Sequence, residues 1–534
     1  MRFKVLVTDQ IDEIAVSILQ GMCDVDYKPV LTADNLKAII KDYDALMIRS
    51  ASKITKHLIA VAPKLKVIGR AGVGVDNIDI DAATQRGIVV INSPDGNTVA
   101  AAEHTVAMIL SMVKHIPTAD TSIKSGKWER TQLTGKEVFN KTIGIIGLGR
   151  VGTRVALITK AMGMKNIVYD PFISKSQVEG LGAHYVTSLQ DIWKSADFIT
   201  VHIPKNKDTV NLINKDSLAQ MKKGVKIINC SRGGIVNETD LAEAIQNGHV
   251  EMAAIDVFEK EPVEDSPLID LGDKVVLTPH LGASTEEAQI NVAVDVAEQI
   301  CDMFQGLPVR SAVNIPALKP EILEPVKNYM ALAESLGVLV RQTTGGAEQT
   351  IEIVACGELA GLDLSPLVVA VTKGILRCSN EGVNYVNAPL IAEKRGIYIK
   401  KSTSTDSENY LSLLRVILTT DKGTNATMGT IIGRDIQCIL SFDGYHTSIE
   451  PAAHMLVLPH HDKPGMIAQV ATLLSKENIN ISMMQVGRKI RDQIGGESVM
   501  ILNVDESVSD TILKQLQKID GIYSAKYINL KVDE

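Results

Sequence analysis

The chain has 534 residues, 45% hydrophobic and 22% charged, a globular composition that excludes disordered and collagen-like classes and suggests three or four domains. With 55 basic against 63 acidic residues the net charge is −8, no long basic run is present and aromatics are only 4%, so a nucleic-acid partner is not expected. No apolar run approaches the roughly 18 residues of a membrane span, Met1–Asp9 turns polar too soon for a signal peptide, and six scattered cysteines form no CxxC pair, so a cytoplasmic protein without metal or disulfide framework is expected.

Residues 1–95 alternate short apolar runs with helical stretches: strands at Lys4–Thr8, Ala45–Ile48 and Val67–Gly69, and a helix at Ile11–Leu19. This alternation predicts a parallel sheet covered on both faces. Asn97–Ile116 reads as one long apolar helix stopped by Pro117. A second series of strands follows at Thr142–Ile146, Asn166–Tyr169, Phe198–Val201, Lys226–Asn229, Met252–Val257 and Val275–Thr278. A second long helix runs from Ser284, spaced with Glu287 as a capping box, to about Phe304, and Gly306-Leu307-Pro308 ends it. Two long helices bracketing the second series imply that the chain leaves its first domain, builds the second and returns.

Val313–Pro320 carries prolines at 316 and 320 and reads as a stiff linker. Residues 320–450 mix α and β without a catalytic cluster. The tail orders strand His454–Leu458, helix Gly465–Lys476, strands Ile479–Arg488 and Ser498–Val504, helix Asp510–Gln517 and strand Ile522–Leu530, the ferredoxin-like βαββαβ pattern. The expected domains are 1–98 with 284–315, then 99–283, 316–450 and 453–530.

Strand Thr142–Ile146 runs into Gly147-Leu148-Gly149-Arg150-Val151-Gly152 and a helix, the GxGxxG arrangement of a dinucleotide-binding Rossmann unit. Gly147 permits the turn, Gly149 lets the backbone approach a pyrophosphate, and Gly152 lets helix and strand pack closely. Asp170 closes the next strand, where a carboxylate accepts hydrogen bonds from a ribose and repels a 2′-phosphate, favouring NAD over NADP. The glycines at 69–74 lack this spacing and are not read as a second nucleotide site.

Arg232, Glu261 and His280 each follow a strand of the second series, on the side where open α/β sheets bind ligands. A guanidinium holds a carboxylate, an imidazole moves a hydroxyl proton, and a carboxylate beside that imidazole orients it and favours its protonated form.

Together with the GLGRVG loop at 147–152, the segments Asn229–Glu238, Asp256–Pro262 and Thr278–Thr285 make residues 1–315 resemble the D-isomer-specific 2-hydroxyacid dehydrogenases. The resemblance implies an α/β fold in which a Rossmann-type NAD-binding domain is inserted in a flavodoxin-like substrate domain. It further implies that Arg232 binds substrate, that Glu261 partners the general acid/base His280, and that NAD is contacted by Val73, Arg150, Val151, Asp170, Ile203, Cys230, Ser231, Arg232, Asp256, His280, Leu281, Gly282 and Ala283.

Three more arginines, Arg49, Arg70 and Arg130, suit a distant phosphate, and all are expected to meet Arg232 at one cleft. Their surroundings resemble the branch of the family that oxidises 3-phospho-D-glycerate to 3-phosphooxypyruvate, the first step of L-serine synthesis. That branch implies Ser50, Gly72, Val73 and Asn97 as further substrate contacts, an α+β intervening domain over the middle region, and a ferredoxin-like ACT regulatory domain at the tail, around His460–Ile467 and Asn478–Ile481. It also implies a homotetramer and an L-serine effector site at His460, Asp462 and Asn480. Two other readings remain open: a same-family reductase of glyoxylate or hydroxypyruvate, whose chains end near residue 320, and an NAD-sensing scaffold that keeps the catalytic trio.

Overall fold

The computed structural model describes residues 2–29, 31–307, 309–315, 320–379, 382–489 and 495–530, with the backbone alone over 320–325. The proposed linker prolines lie partly outside these residues: 316–319 are not among them, nor is Pro308, while Pro320 opens a helix that runs to Thr343.

Short runs, all largely buried except the exposed edge strand β2, form the first sheet: β1 (Lys4–Val7), β2 (Asp24–Tyr27), β3 (Ala45–Ile48), β4 (Val67–Arg70) and β5 (Val89–Asn92). They are parallel in the order β2-β1-β3-β4-β5, the flavodoxin-like order, with its switch point between β1 and β3. The helix Glu286–Phe304 returns to this sheet, packing Val292, Val296 and Ile300 on Val5, Met47 and Val67. Gly69 makes the approach possible, since a Cβ there would lie 2.6 Å from Val296 Cγ1. The cap of this helix is Thr285, whose hydroxyl accepts the Ala288 amide; the expected Ser284–Glu287 capping box does not form, because the cap falls one residue later and alanine at 288 has no side chain that can return the bond.

The second sheet holds β6 (Thr142–Ile146), β7 (Lys165–Tyr169), β8 (His184–Tyr185), β9 (Phe198–Val201), β10 (Val225–Asn229), β11 (Val250–Ile255) and β12 (Val275–Leu277). Its order, β12-β11-β10-β9-β6-β7-β8, is the doubly wound Rossmann order with one added strand. The helix expected over Asn97–Ile116 is two. Thr98–Val113 ends, His115 turns left-handed at φ 54°, and Ile116–Lys124 begins. Pro117 therefore opens the second helix instead of stopping the first, because proline in a first turn lacks only an amide hydrogen that would have no partner there.

The third sheet, β13 (Glu348–Gly357), β14 (Tyr398–Ser404), β15 (Ser412–Thr420), β16 (Gly423–Ile432), β17 (Ile436–Phe442) and β18 (Tyr445–Ile449), is antiparallel except for the β13–β14 pair. The fourth, β19 (His454–His461), β20 (Ile481–Arg488), β21 (Glu497–Val504) and β22 (Lys526–Asn529), has the ferredoxin-like order β20-β21-β19-β22. One apolar core runs through both, joining Leu336, Ile353 and Val416 to Met455, Val457 and Ile528.

Candidate active site

Asn229 ends β10 and shapes the turn beyond it. Its side-chain oxygen accepts the Ser231 amide and hydroxyl, and its side-chain nitrogen donates to the Arg232 carbonyl at 3.0 Å. Arg232 is thereby turned into a cleft it shares with Arg70, Val73, Asn97, Glu261, His280 and Ala283. Gly74 leaves the room, since a Cβ there would lie 2.3 Å from Arg232 Nη2. Arg232 Nε lies 3.3 Å from Asp76, an exposed carboxylate.

His280 reaches the same cleft from the end of β12 through a left-handed backbone, φ 56°, held by its amide donating to the Asp256 carbonyl at 2.8 Å. Its Nδ1 lies 2.7 Å from Glu261 Oε2, and Nε2 has no hydrogen-bond partner among the described residues. Glu261 Oε1 accepts the Phe258 amide at 3.0 Å. Burial pushes the Glu261 carboxyl up, but the hydrogen bonds from His280 and the Phe258 amide outweigh it and hold it below the usual value. The Glu261 hydrogen bond in turn raises His280 above its ordinary value, against partial burial.

Behind this pair, the Asp256 side chain is fully buried and accepts the Thr278 hydroxyl at 2.6 Å and the amides of Leu281 and Gly282 at 2.7 and 2.9 Å. His104, from helix Thr98–Val113, lies 3.1 Å from the same carboxylate. Burial raises the Asp256 carboxyl, yet its hydrogen bonds from His104, Thr278 and Leu281 leave it below its ordinary value. Asp256 thus pins the segment that carries His280.

The glycine loop has the shape a pyrophosphate requires. Gly147 is left-handed, φ 91°, and a Cβ on Gly152 would lie 2.1 Å from the Gly147 carbonyl oxygen. A Cβ on Gly149 would meet nothing within 4 Å, so the helix N-terminus opens onto free space. Arg150 forms an ion pair with Asp95 across the two sheets. Ile203 packs beside the loop, its Cγ2 2.6 Å from where a Gly147 Cβ would sit. Asp170 is 7% exposed, and its oxygens accept the Leu148 and Phe172 amides, both at 2.8 Å, so it also braces the loop. Burial pushes the Cys230 thiol up to about 12, which keeps it protonated.

The expected meeting of four arginines is only partly realised. Arg70 and Arg232 share the cleft, and burial, with Arg232 nearby, lowers the Arg70 guanidinium to about 10. Gly72 accommodates it, since a Cβ there would overlap Arg70 Nη1. Arg49 and Ser50 line an adjoining pocket at the ends of β1 and β3. Arg130 is exposed beyond the helix Ile116–Lys124 and lines neither pocket; that helix, with Lys127 and Glu129, stands beside Asp273 and Val275 at the amino end of β12, whereas the cleft lies at the carboxyl ends of the strands.

The three regulatory residues do not converge within one chain. In the antiparallel register, His460 and Asp462 stand at the Glu497–Ser498 end of β21 and Asn480 at its Val504 end. His460 is buried, with Nδ1 against the Leu458 carbonyl; Asp462 is paired with Arg488 at 2.8 Å, and Asn480 donates to Asp505. Sequence reasoning missed Asp76 and Lys205, which line the cleft, and His104 and Asn229, which brace Asp256 and the Arg232 turn behind it. For Asn229 the signal was present, as a polar residue closing a buried strand.

Residues 106–282 match the model for the NAD-binding domain of D-isomer specific 2-hydroxyacid dehydrogenases. Residues 325–441 match the D-3-phosphoglycerate dehydrogenase intervening domain and 454–521 the ACT domain. The chain is 46% identical over 529 residues to a D-3-phosphoglycerate dehydrogenase of Synechocystis, covering 99% of this chain and 95% of that one. It is 41% identical over 531 residues to the Bacillus subtilis protein of the same name, covering 99% and 100%. Among solved structures, D-lactate dehydrogenase from Aquifex aeolicus complexed with NAD and lactic acid shares 28% identity with a TM-score of 0.52, covering 57% of this chain and 96% of that one.

Proposed function

The chain belongs to the D-3-phosphoglycerate dehydrogenases, NAD-dependent enzymes that convert 3-phospho-D-glycerate to 3-phosphooxypyruvate at the start of L-serine synthesis, and we propose how its own residues carry out that reaction. The observation that carries the reading is the His280–Glu261 pair facing Arg232 and Arg70 in one cleft. NAD, bound along the glycine loop, supplies the hydride acceptor. Gly149 would give the pyrophosphate access to the helix N-terminus, and Asp170, which braces the loop through the Leu148 amide, would accept from the ribose hydroxyls.

Arg232 exchanges Asp76 for the substrate carboxylate and fixes C2 near the imidazole. His280 Nε2 takes the C2 hydroxyl proton while C2 gives up hydride, so the C–O bond becomes a carbonyl. Glu261 stabilises the imidazolium that results. Asn97 and the 72–74 backbone flank the reacting end, and Arg70 and then Arg49 with Ser50 lead to the phosphate. Arg130, outside the cleft in a single chain, reaches substrate only if a second copy presents it.

The sheets support division into a substrate domain of 1–98 with 284–315, an NAD domain of 99–283, an intervening domain of 316–450 and an ACT domain of 453–530. The reading includes a cytoplasmic homotetramer; among the described residues no helix is long and apolar enough to cross a membrane. Because His460 and Asp462 stand far from Asn480 within one chain, an L-serine site would need ACT domains of two copies side by side. The test is NADH formation with 3-phospho-D-glycerate against D-glycerate. Strong preference for the phosphorylated acid supports the reading, and equal activity favours a glyoxylate or hydroxypyruvate reductase.

A further inference from the structure

The turn after β3, residues 49–52, is held from both sides by groups outside it. Asp9, at the end of β1, is 4% exposed. Its carboxylate accepts the Arg49 amide at 2.5 Å, the Ser52 amide at 3.3 Å and the Ser52 hydroxyl at 2.5 Å. From the other side, the Asn77 side-chain amide donates to the carbonyls of Arg49 and Ser52, both at 2.7 Å. The two ends of the turn are thereby fixed, while the amides of Ser50 and Ala51 between them have no acceptor among the described residues.

Ser50 and Ala51 line, together with Arg49, the pocket at the carboxyl ends of β1 and β3, the switch point of this sheet. Backbone amides grouped beside a cation form a concavity suited to an anion. Asp9 grips the backbone of Arg49 and leaves its guanidinium alone. Among the described residues that group has only long bonds to neutral acceptors, the Gln10 carbonyl at 3.3 Å and Gln289 Oε1 at 3.4 Å, which a phosphate can displace.

We propose that Asp9 and Asn77 are positioning residues that shape the 49–52 turn around the substrate phosphate, and so set the preference for phosphorylated over unphosphorylated hydroxy acids. The proposal rests on the reading that Arg49 and Ser50 meet that phosphate. Neither residue touches the ligand; each acts by aiming the turn.

The test uses the full chain and the variants Asp9→Asn, Asn77→Ser and Arg49→Gln. Three quantities are measured: kcat/KM with 3-phospho-D-glycerate, kcat/KM with D-glycerate, and the inhibition constant of inorganic phosphate. In Asp9→Asn and Asn77→Ser, the ratio of the two kcat/KM values falls roughly tenfold, through KM for the phosphorylated acid, and the phosphate inhibition constant rises by a similar factor. Equal losses on both substrates with an unchanged phosphate constant overturn the inference, because the clamp then serves folding alone. If Asp9→Asn does not fold, Asn77→Ser carries the test. An unchanged ratio in Arg49→Gln means that the phosphate binds elsewhere and the underlying reading fails. A lowered ratio in Arg49→Gln without one in the clamp variants defeats the inference alone.

Discussion

Alanine at Gly149 and at Gly152 should have separable effects, although the two glycines stand in one loop. At Gly152 the added Cβ would lie 2.1 Å from the Gly147 carbonyl oxygen and 3.1 Å from its carbon. That is more than roughly 1 Å inside an ordinary contact, and the obstacle is backbone, which cannot rotate away. Overpacking of this kind costs about 1–3 kcal/mol, and each kcal/mol lowers Tm by roughly 2–4 °C in a domain of this size. At Gly149, φ is −68° and the Cβ meets nothing within 4 Å, so the fold accepts alanine. The methyl group instead occupies the approach to the helix N-terminus. Losing a backbone hydrogen bond to a charged phosphate there costs about 1.5–3 kcal/mol, or roughly ten- to a hundredfold in NADH affinity. Thermal melting of the ligand-free proteins and fluorescence titration with NADH separate the effects. Gly152→Ala loses both stability and affinity, and Gly149→Ala loses affinity alone. Wild-type NADH affinity in Gly149→Ala would refute the placement of the pyrophosphate on this loop.

Glu261→Gln should move the acid limb of kcat/KM for hydroxy-acid oxidation to lower pH. Oxidation needs neutral His280, Glu261 raises that histidine above 6.5, and without the carboxylate the neutral form persists to lower pH; a limb that stays in place contradicts the assigned pairing. Arg232→Lys should lower kcat/KM roughly a hundredfold or more, because a point ammonium cannot reproduce the guanidinium fork, while NADH titration stays near wild type. His104→Ala removes one of four donors from buried Asp256 and should destabilise by about 1 kcal/mol, read as a lowered Tm; an unchanged Tm would mean that the pair contributes nothing.

The candidate trio was legible because Arg232, Glu261 and His280 each follow a parallel strand, two of them buried and β12 partly so, and such strands announce themselves as short apolar runs. The edge strands β2 and β8 were not, since Asp24–Tyr27 and His184–Tyr185 face solvent and carry no apolar run. His104 escaped notice because it sits in a helix whose apolar residues pack on the second sheet, and only the folded chain brings it to Asp256. Arg130, expected beside the other arginines from its sequence surroundings, lies outside the cleft within one chain, because only the folded chain shows that its neighbours Lys127 and Glu129 stand beside Asp273 and Val275 at the amino end of β12. The ACT residues were placed together by motif, but the antiparallel register separates them along β21.

The measurement that bears most directly on the account is turnover of 3-phospho-D-glycerate by wild type and His280→Asn, followed as NADH formation, with NADH binding measured on the same samples. The account predicts turnover by the wild-type protein only, with NADH bound by both. Near-normal turnover in His280→Asn would contradict the assignment of His280 as the group that takes the C2 hydroxyl proton.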